Sequence, residues 1–425
     1  MDTAILVFYN LLTVTSTILL DVSWVFYIAV PFILFYIGID IFQYSRQLKY
    51  KKAIDWCLIE VRIPRQIEKG PKAMENFFTA LHGLRNAPSK FSELYLDGEV
   101  TRPFSFEMCA HKGSTRFFIR TPKGLKPAVA SMIYAAYSDV EVTDTQDYIE
   151  EFPESFFDLQ SLGYDIGGGE FALDKDSAYP VASYDVFESK DGDARIVDSM
   201  ALLLELFGRL TLEETVWMQI VAAPEGEDWK KASEKIIQET KESEQKALKA
   251  AKEKGEAVVV TRTPGEEARL KLIEKKRTKN GFKCLIRYMY IAPKSSFNKD
   301  LSGRGIPTYF SQFVTDANKF KKNGGTALGS DWRDFPYFLH KRTVPERKAF
   351  FWRWYRKRAL PEKTWSGKMF NSTLLYHGGF DMKTMILNSD ELATIFHLPT
   401  NVVLTAPVVR RMESKTLPPP PVLPK

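Results

Sequence analysis

The chain is poor in the residues that enzymes use for covalent, metal and acid–base chemistry. Among 425 residues there are three cysteines and five histidines. Cys57, Cys109 and Cys284 lie far apart with no CxxC pair, which argues against a disulfide framework or a cysteine zinc site and fits a reducing cytoplasmic compartment. His82, His111, His340, His377 and His397 form no HxxH or HExxH pair. Phosphate loops are missing too. Gly367-Lys368 is followed by Met369, with Glu362 where the first glycine belongs, and the triple glycine Gly167 to Gly169 lacks the following Lys-Ser/Thr, so it is expected to be a plain turn. A GxSxG elbow is absent. No catalytic residue, cofactor or metal ligand is expected, and the reading is of a non-enzymatic protein.

What the chain does have is a long apolar run near its start. Ser23 to Phe42 carries one full charge, Asp40, and matches the roughly 20 residues that a helix needs to cross a bilayer core. Trp24, Phe26, Pro31 and Phe35 are its anchor residues, and transmembrane helices tolerate such a proline. Arg46, Lys49, Lys51 and Lys52 follow with no acid among them. Basic residues beside a span stay on the cytoplasmic side, so the chain from about residue 53 is expected in the cytoplasm at a bacterial inner membrane. Upstream, Ala4 to Leu20 could be a second span in a tight hairpin, an interfacial helix or a cleaved signal. The last fits least, because no basic residue precedes it and no small-residue cleavage site follows.

The rest has the composition of a folded body, 44% apolar and 26% charged, with a net charge of +6. That charge permits contact with anionic lipid or nucleic acid without demanding it. The expected fold class is α+β, with an N-terminal transmembrane helix or hairpin (1–52) followed by two ferredoxin-like βαββαβ units. In the first unit (53–147), WCLIEVRI alternates as a half-buried strand, Ala73 to Leu84 has helical spacing, and Phe104 to Ala110 and Thr115 to Arg120 form a hairpin. A helix from Pro127 to Tyr137 and a strand at Val140 to Val142 complete it. Residues 148–178 are expected to be a linker.

The second unit (179–338) is expected to run from a strand at Val181 to Phe187, through a helix at Ser199 to Leu210, to strands at Thr215 to Ala222 and Gly281 to Ala292. A helix at Pro307 to Phe320 and a last strand between Ala327 and Phe338 close it. Set into it, residues 228–280 are rich in Lys, Glu, Gln and Ala with opposite charges at helical spacing, which predicts a protruding helical hairpin.

The C-terminal segment (339–417) opens on HKRTVPERKAFFWRWYRKR, 340–358. This is either an amphipathic helix packed under the second unit, or a surface on which Arg353, Arg356, Lys357 and Arg358 meet phosphates of DNA or lipid. A proline-rich tail (418–425) follows as an extended spacer.

Several stretches, WCLIEVRIPR (56–65), KAMENFFTALHGL (72–84), FSFEMCAHKGSTRFFIRTPKGL (104–125), GYDIGGGEFALDKDSAYPV (163–181) and LNSDELATIFHLP (387–399), are similar to one family. The chain resembles the membrane-anchored amino-terminal region of large HerA/FtsK-like ATP-binding proteins of Candidate Phyla Radiation bacteria, related to the conjugation and type IV secretion ATPases. The resemblance implies a non-catalytic scaffold or adaptor, with a P-loop ATPase following in cis or recruited in trans, DNA or protein as cargo, and a homo-oligomeric assembly. The alternative is a nucleic-acid-binding membrane protein that uses 341–358.

Overall fold

The computed structural model describes residues 2–64, 69–187, 198–253, 263–329, 340–371 and 381–400, with the backbone alone for residues 2–26 and for parts of a few other helices. It is a mixed α+β structure with an apolar N-terminal helix and, among the described residues, one antiparallel sheet of nine strands. Two compact units emerge. Met1–Ala53, Pro88–Val100 and Glu362–Asn371 form the smaller, and the remaining chain forms the larger.

In the smaller unit α1 (Asp2–Ala53) is a single uninterrupted helix with Pro31 inside it. The tight hairpin is therefore not formed. Asp21-Val22-Ser23 contains neither glycine nor a further proline, so nothing stops the helix there. Its segment Tyr27–Ala53 is 27 residues long and apolar enough to cross a membrane. At the usual helical rise it extends about 40 Å, against a hydrocarbon core of roughly 30 Å.

The larger unit opens with β1 (Trp56–Arg62), α2 (Pro71–His82), β2 (Phe104–His111), β3 (Ser114–Pro122), α3 (Lys126–Ala136) and β4 (Glu141–Asp144). Lys112 and Gly113, with φ of 49° and 72°, make the two-residue turn between β2 and β3. Such left-handed pairs match the twist of a hairpin. These strands lie in the order β4-β1-β3-β2.

The second set is α4 (Phe156–Ser161), β5 (Tyr164–Leu173), α5 (Ala201–Gly208), β6 (Thr215–Pro224), α6 (Lys230–Glu253), α7 (Pro264–Arg277), β7 (Gly281–Pro293), α8 (Ile306–Thr308) and β8 (Phe320–Lys322). Its order, β6-β7-β5-β8, mirrors the first. β2 pairs with β6 over eight residues, Phe104↔Ala222 to His111↔Thr215, and makes one sheet of the two halves. After α9 (His340–Lys357), α10 (Trp365–Asn371) belongs to the smaller unit; β9 (Met385–Asn388), paired with the start of β7, and α11 (Ser389–Ile395) close the larger one.

Several expectations are corrected. The stretch 148–178 is not a plain linker, because it contains β5, and Val181 to Phe187 is not a strand but carries a 3-10 turn at Tyr184–Val186. Gly167 to Gly169 lie inside β5 rather than in a turn. Gly167 and Gly168 meet close neighbours: a Cβ on Gly167 would stand 2.0 Å from the Ser302 hydroxyl, and one on Gly168 2.4 Å from the Tyr288 carbonyl and 3.0 Å from the Phe351 ring. The helix expected at Pro307 to Phe320 shrinks to α8 and a 3-10 turn, Tyr309–Phe313. The last described strand of that half is β8, while 330–339 fall outside the described residues, as do 401–425 with the proline tail.

β1 is not half-buried either, since helices cover both faces of the sheet. On one face Ile59, Phe106, Phe117, Met218, Ile286 and Tyr288 pack against Phe77 and Phe78 of α2, Val129 and Ile133 of α3, Leu203 and Phe207 of α5, and Leu392 of α11. On the other, Leu58, Cys109, Phe118, Trp217 and Met289 meet Phe351, Trp352, Trp354 and Tyr355 of α9.

Phe106 is fully buried, with edge contacts to Phe77 and Phe78 at 6.0 and 4.9 Å. Phe106→Ala is expected to cost about 3–5 kcal/mol in chemical denaturation, while Leu162→Ser, at an exposed site, should stay within about 0.5 kcal/mol.

Candidate functional site

The largest exposed elaboration of the sheet is the arm formed by α6 and α7, inserted between β6 and β7. Thr263 and Glu266 form a capping box at the start of α7, and Glu267–Lys271 at 2.7 Å is an exposed ion pair one helical turn apart. Near the base Ser233, Ile237 and Ile273 are buried and Glu234 pairs with Arg277 at 3.7 Å. Beyond it the described side chains of α6 are mostly exposed.

The arm is rooted through charges. Lys276, completely buried, lies 3.0 Å from Glu391 of α11 and donates to the Ile386 carbonyl at 3.1 Å. Glu391 also accepts from the Val181 amide at 2.9 Å and completes a capping box with Asn388. Around this pair Lys275 reaches Asp185, and Lys279 reaches Glu75, which accepts from the Tyr184 hydroxyl at 2.5 Å. Burial and then the neighbouring Glu391 push the Asp390 carboxyl up to about 6. A short distance on, His397 is held between the Ala393 carbonyl (2.9 Å) and Asp198 (3.0 Å). Asp198 also accepts from the amides of Met200 and Thr400. Its carboxyl stays ionised down to about 2, since these bonds and His397 outweigh burial.

Under α9 the sheet carries a row of polar side chains in register: Glu107 of β2 opposite Gln219 of β6, Gln219 opposite Arg287 of β7, and Arg287 opposite Glu170 of β5. All four are buried. Arg358, just past α9, forks onto Glu107 at 2.7 and 2.9 Å and onto Asp147 at 2.5 and 2.8 Å. Arg287 donates to the carbonyls of Trp354 and Ala359 and stands 3.8 Å from Glu170. Burial pushes the Glu170 carboxyl up to about 7 against the pull of Arg287. The row was readable in principle as one polar residue inside each apolar strand, FSFEMCA, VWMQIVAA, CLIRYMYI and GGGEFAL, but nothing in one strand names its partner in the next.

These placements separate the residues considered for phosphate contact. Arg358 is buried in its ion pairs, and Arg356, partly buried, donates to the Ile149 carbonyl at 2.7 Å. Arg353 and Lys357 are exposed, over the rings of Phe350 and Trp354. The anchor residues sit on α1, where Phe35 is 69% exposed, Pro31 interrupts no turn, and the side chains of Trp24 and Phe26 fall outside the described residues.

Among the described residues no three His, Cys, Asp or Glu side chains gather as a metal site. Cys109 is pushed up to about 12 by burial, and Cys57 and Cys284 are raised for the same reason; thiols so shifted are poor nucleophiles. Burial lowers His111, which lies 3.2 Å from Glu151. A small cavity between sheet and helices is lined by apolar side chains such as Val61, Met74, Phe77 and Ile133.

Fold and surface thus define an α+β protein with an apolar N-terminal helix and one antiparallel sheet covered on both faces. The chain belongs to the family defined by a domain of unknown function, DUF8128, whose model matches residues 42–302. That span runs from the end of the apolar stretch through all of the arm and β7. No curated protein matches the chain.

Arg358→Ala leaves Glu107 and Asp147 without their shared cation and is expected to cost about 3–5 kcal/mol. Arg353→Ala, on the exposed side, should stay within about 0.5 kcal/mol; urea melts of both variants check this. The folded Glu170 carboxyl titrates near 7 rather than 4.5. The stability it contributes is therefore fully present below about pH 4.5 and lost as pH rises through about 7. Glu170→Gln should melt higher than the parent at pH 8, with the difference closing at pH 5.

Proposed function

We propose that this protein is a non-catalytic, membrane-anchored cytoplasmic scaffold of a type IV secretion-like or DNA-transfer ATPase system. In this reading α1 crosses the bacterial inner membrane, with Arg46, Lys49, Lys51 and Lys52 holding its end on the cytoplasmic side. Each half of the sheet is a ferredoxin-like unit, supported by the orders β4-β1-β3-β2 and β6-β7-β5-β8. The two units offer assembly surfaces for copies of the chain, and the arm engages a P-loop ATPase supplied in cis or in trans.

The observation that carries the reading is the arm. A charged helical hairpin serves no need of the sheet's own core beyond its base, yet buried ion pairs at Lys276 and Glu391 root it firmly. A rooted projection is suited to transmitting position between a membrane-held body and a moving partner. A DNA contact would fall to Arg353 and Lys357, which are exposed, whereas Arg358 is buried and Arg356 half-buried.

Replacing residues 242–269 by a short Gly-Ser linker leaves Ile273, Lys276 and the base intact. The expected outcome is an unchanged melting temperature together with loss of the P-loop ATPase from material purified out of solubilised membranes. Equal ATPase recovery with and without the arm tip would overturn the assignment.

A further inference from the structure

The smaller unit carries apolar side chains that its own packing does not cover. Two segments distant in sequence, 88–100 and 362–371, close around α1 between Asp40 and Lys51. Asp40 accepts from the backbone amides of Trp365 (3.1 Å) and Ser366 (2.6 Å) and from the Ser366 hydroxyl. Lys51 pairs with Glu362 at 2.6 Å, Arg46 donates to the Leu96 carbonyl, and the Tyr50 hydroxyl lies 3.1 Å from Glu99. Gly98, at φ +68°, presses on the helix so closely that a Cβ would stand 2.3 Å from the Arg46 carbonyl carbon. Only glycine meets both demands there. The two segments form a collar fixed to α1.

Outward the collar shows Phe91, 71% exposed and stacked on Tyr95 at 4.6 Å, with Trp365 (52%), Leu96 (50%) and Met369. Lys90, 3.7 Å from Glu93, and Lys363 and Lys368 stand exposed among them, beside the exposed acid Asp97. The level of the collar is set by α1. Asp40 closes the apolar run, and from Asp40 to Lys51 the helix rises about 16 Å. A span leaving the roughly 30 Å hydrocarbon core passes through the headgroup layer over that stretch. Aromatic side chains with lysines beside them are what that layer favours.

We propose that the collar lies in the membrane headgroup layer, with Phe91, Leu96, Trp365 and Met369 entering the acyl boundary and the lysines meeting anionic lipid phosphates. The occupant of this apolar surface is lipid, because Asp40 bonds the Trp365 amide at the end of the apolar run of α1, where Phe35, Tyr36 and Phe42 are themselves exposed. The inference rests on α1 spanning the membrane. Its consequence is that two helix-to-strand connections of the chain are held at the bilayer, so lipid composition can act on the protein through more than its span.

The test places nitroxide labels, one at a time, on Phe35→Cys, Phe91→Cys and Trp365→Cys in the full chain carrying Cys57→Ser, the two remaining cysteines being buried. The protein is reconstituted in phosphatidylcholine–phosphatidylglycerol vesicles, and collisions with oxygen and with a water-soluble nickel chelate are compared, the free nitroxide in buffer setting the aqueous value. Phe35 should read hydrocarbon, and Phe91 and Trp365 an intermediate, headgroup depth, deeper in vesicles richer in phosphatidylglycerol. Phe35 deep with Phe91 and Trp365 at the aqueous value, or shielded from both reagents, overturns the collar alone and assigns its surface to water or to another protein. Phe35 at the aqueous value overturns the span, and the collar with it.

Discussion

The pairing of β2 with β6 is the contact on which the rest of the larger unit depends. Separately, each half of the sheet would end in a long, apolar, unpaired edge of the kind that recruits other chains. Joined over eight residues, the two edges vanish into the centre. Among the described residues the outermost strands are short, four residues in β4 and three in β8. Because helices cover both faces, β2 and β7 are buried at nearly every position and β6 at every one of its ten. Polar groups there can turn only to the fold, which gives Glu107 both Gln219 and Arg358 and gives Arg287 two carbonyls, while Glu170 faces Arg287 at 3.8 Å without a hydrogen bond. The row from Glu107 through Gln219 and Arg287 to Glu170 follows from that constraint, as does the place of Arg358, whose planar fork suits two carboxylates at once.

The same rule accounts for α11. All seven of its residues are buried, including Asp390 and Glu391. A helix this polar enters the interior only because it is capped by Asn388, paired with Lys276 from the arm, and followed by His397 in the grip of Asp198. Its root ties a late segment of the chain to the arm, to Val181 and to α2 through Glu75 and Lys279. The arm is thereby an extension of the core rather than a loop set on it. Such ties are costly to break singly, since each leaves a buried charge behind.

Much of this architecture is legible in the sequence. Strand-like runs over 56–63, 104–110, 115–120, 215–222 and 281–292, and helical spacing over 73–84, 127–137 and 199–210, correspond to elements found at nearly those residues. The arm is legible from composition, because exposed helices without packing partners must rely on propensity and charge pairs. β5 was hidden by Gly167 to Gly169, which normally argue for a turn. The role of Gly167 and Gly168 as spacers beneath Ser302 and Phe351 appears only when those residues arrive from 135 and more positions away. The aromatic segment 340–358 left packing and phosphate contact open, since buried tryptophans and surface arginines share one helix.

The sequence by itself determined the local periods, the apolar helix and the charged arm, because each depends on residues within a turn or two of one another. Only the tertiary structure decided which faces are covered, that Arg358 among four neighbouring basic residues is spent on internal carboxylates, and which strand edges meet. Those outcomes depend on burial and pairing between residues far apart in the chain, and no short window of sequence contains both partners.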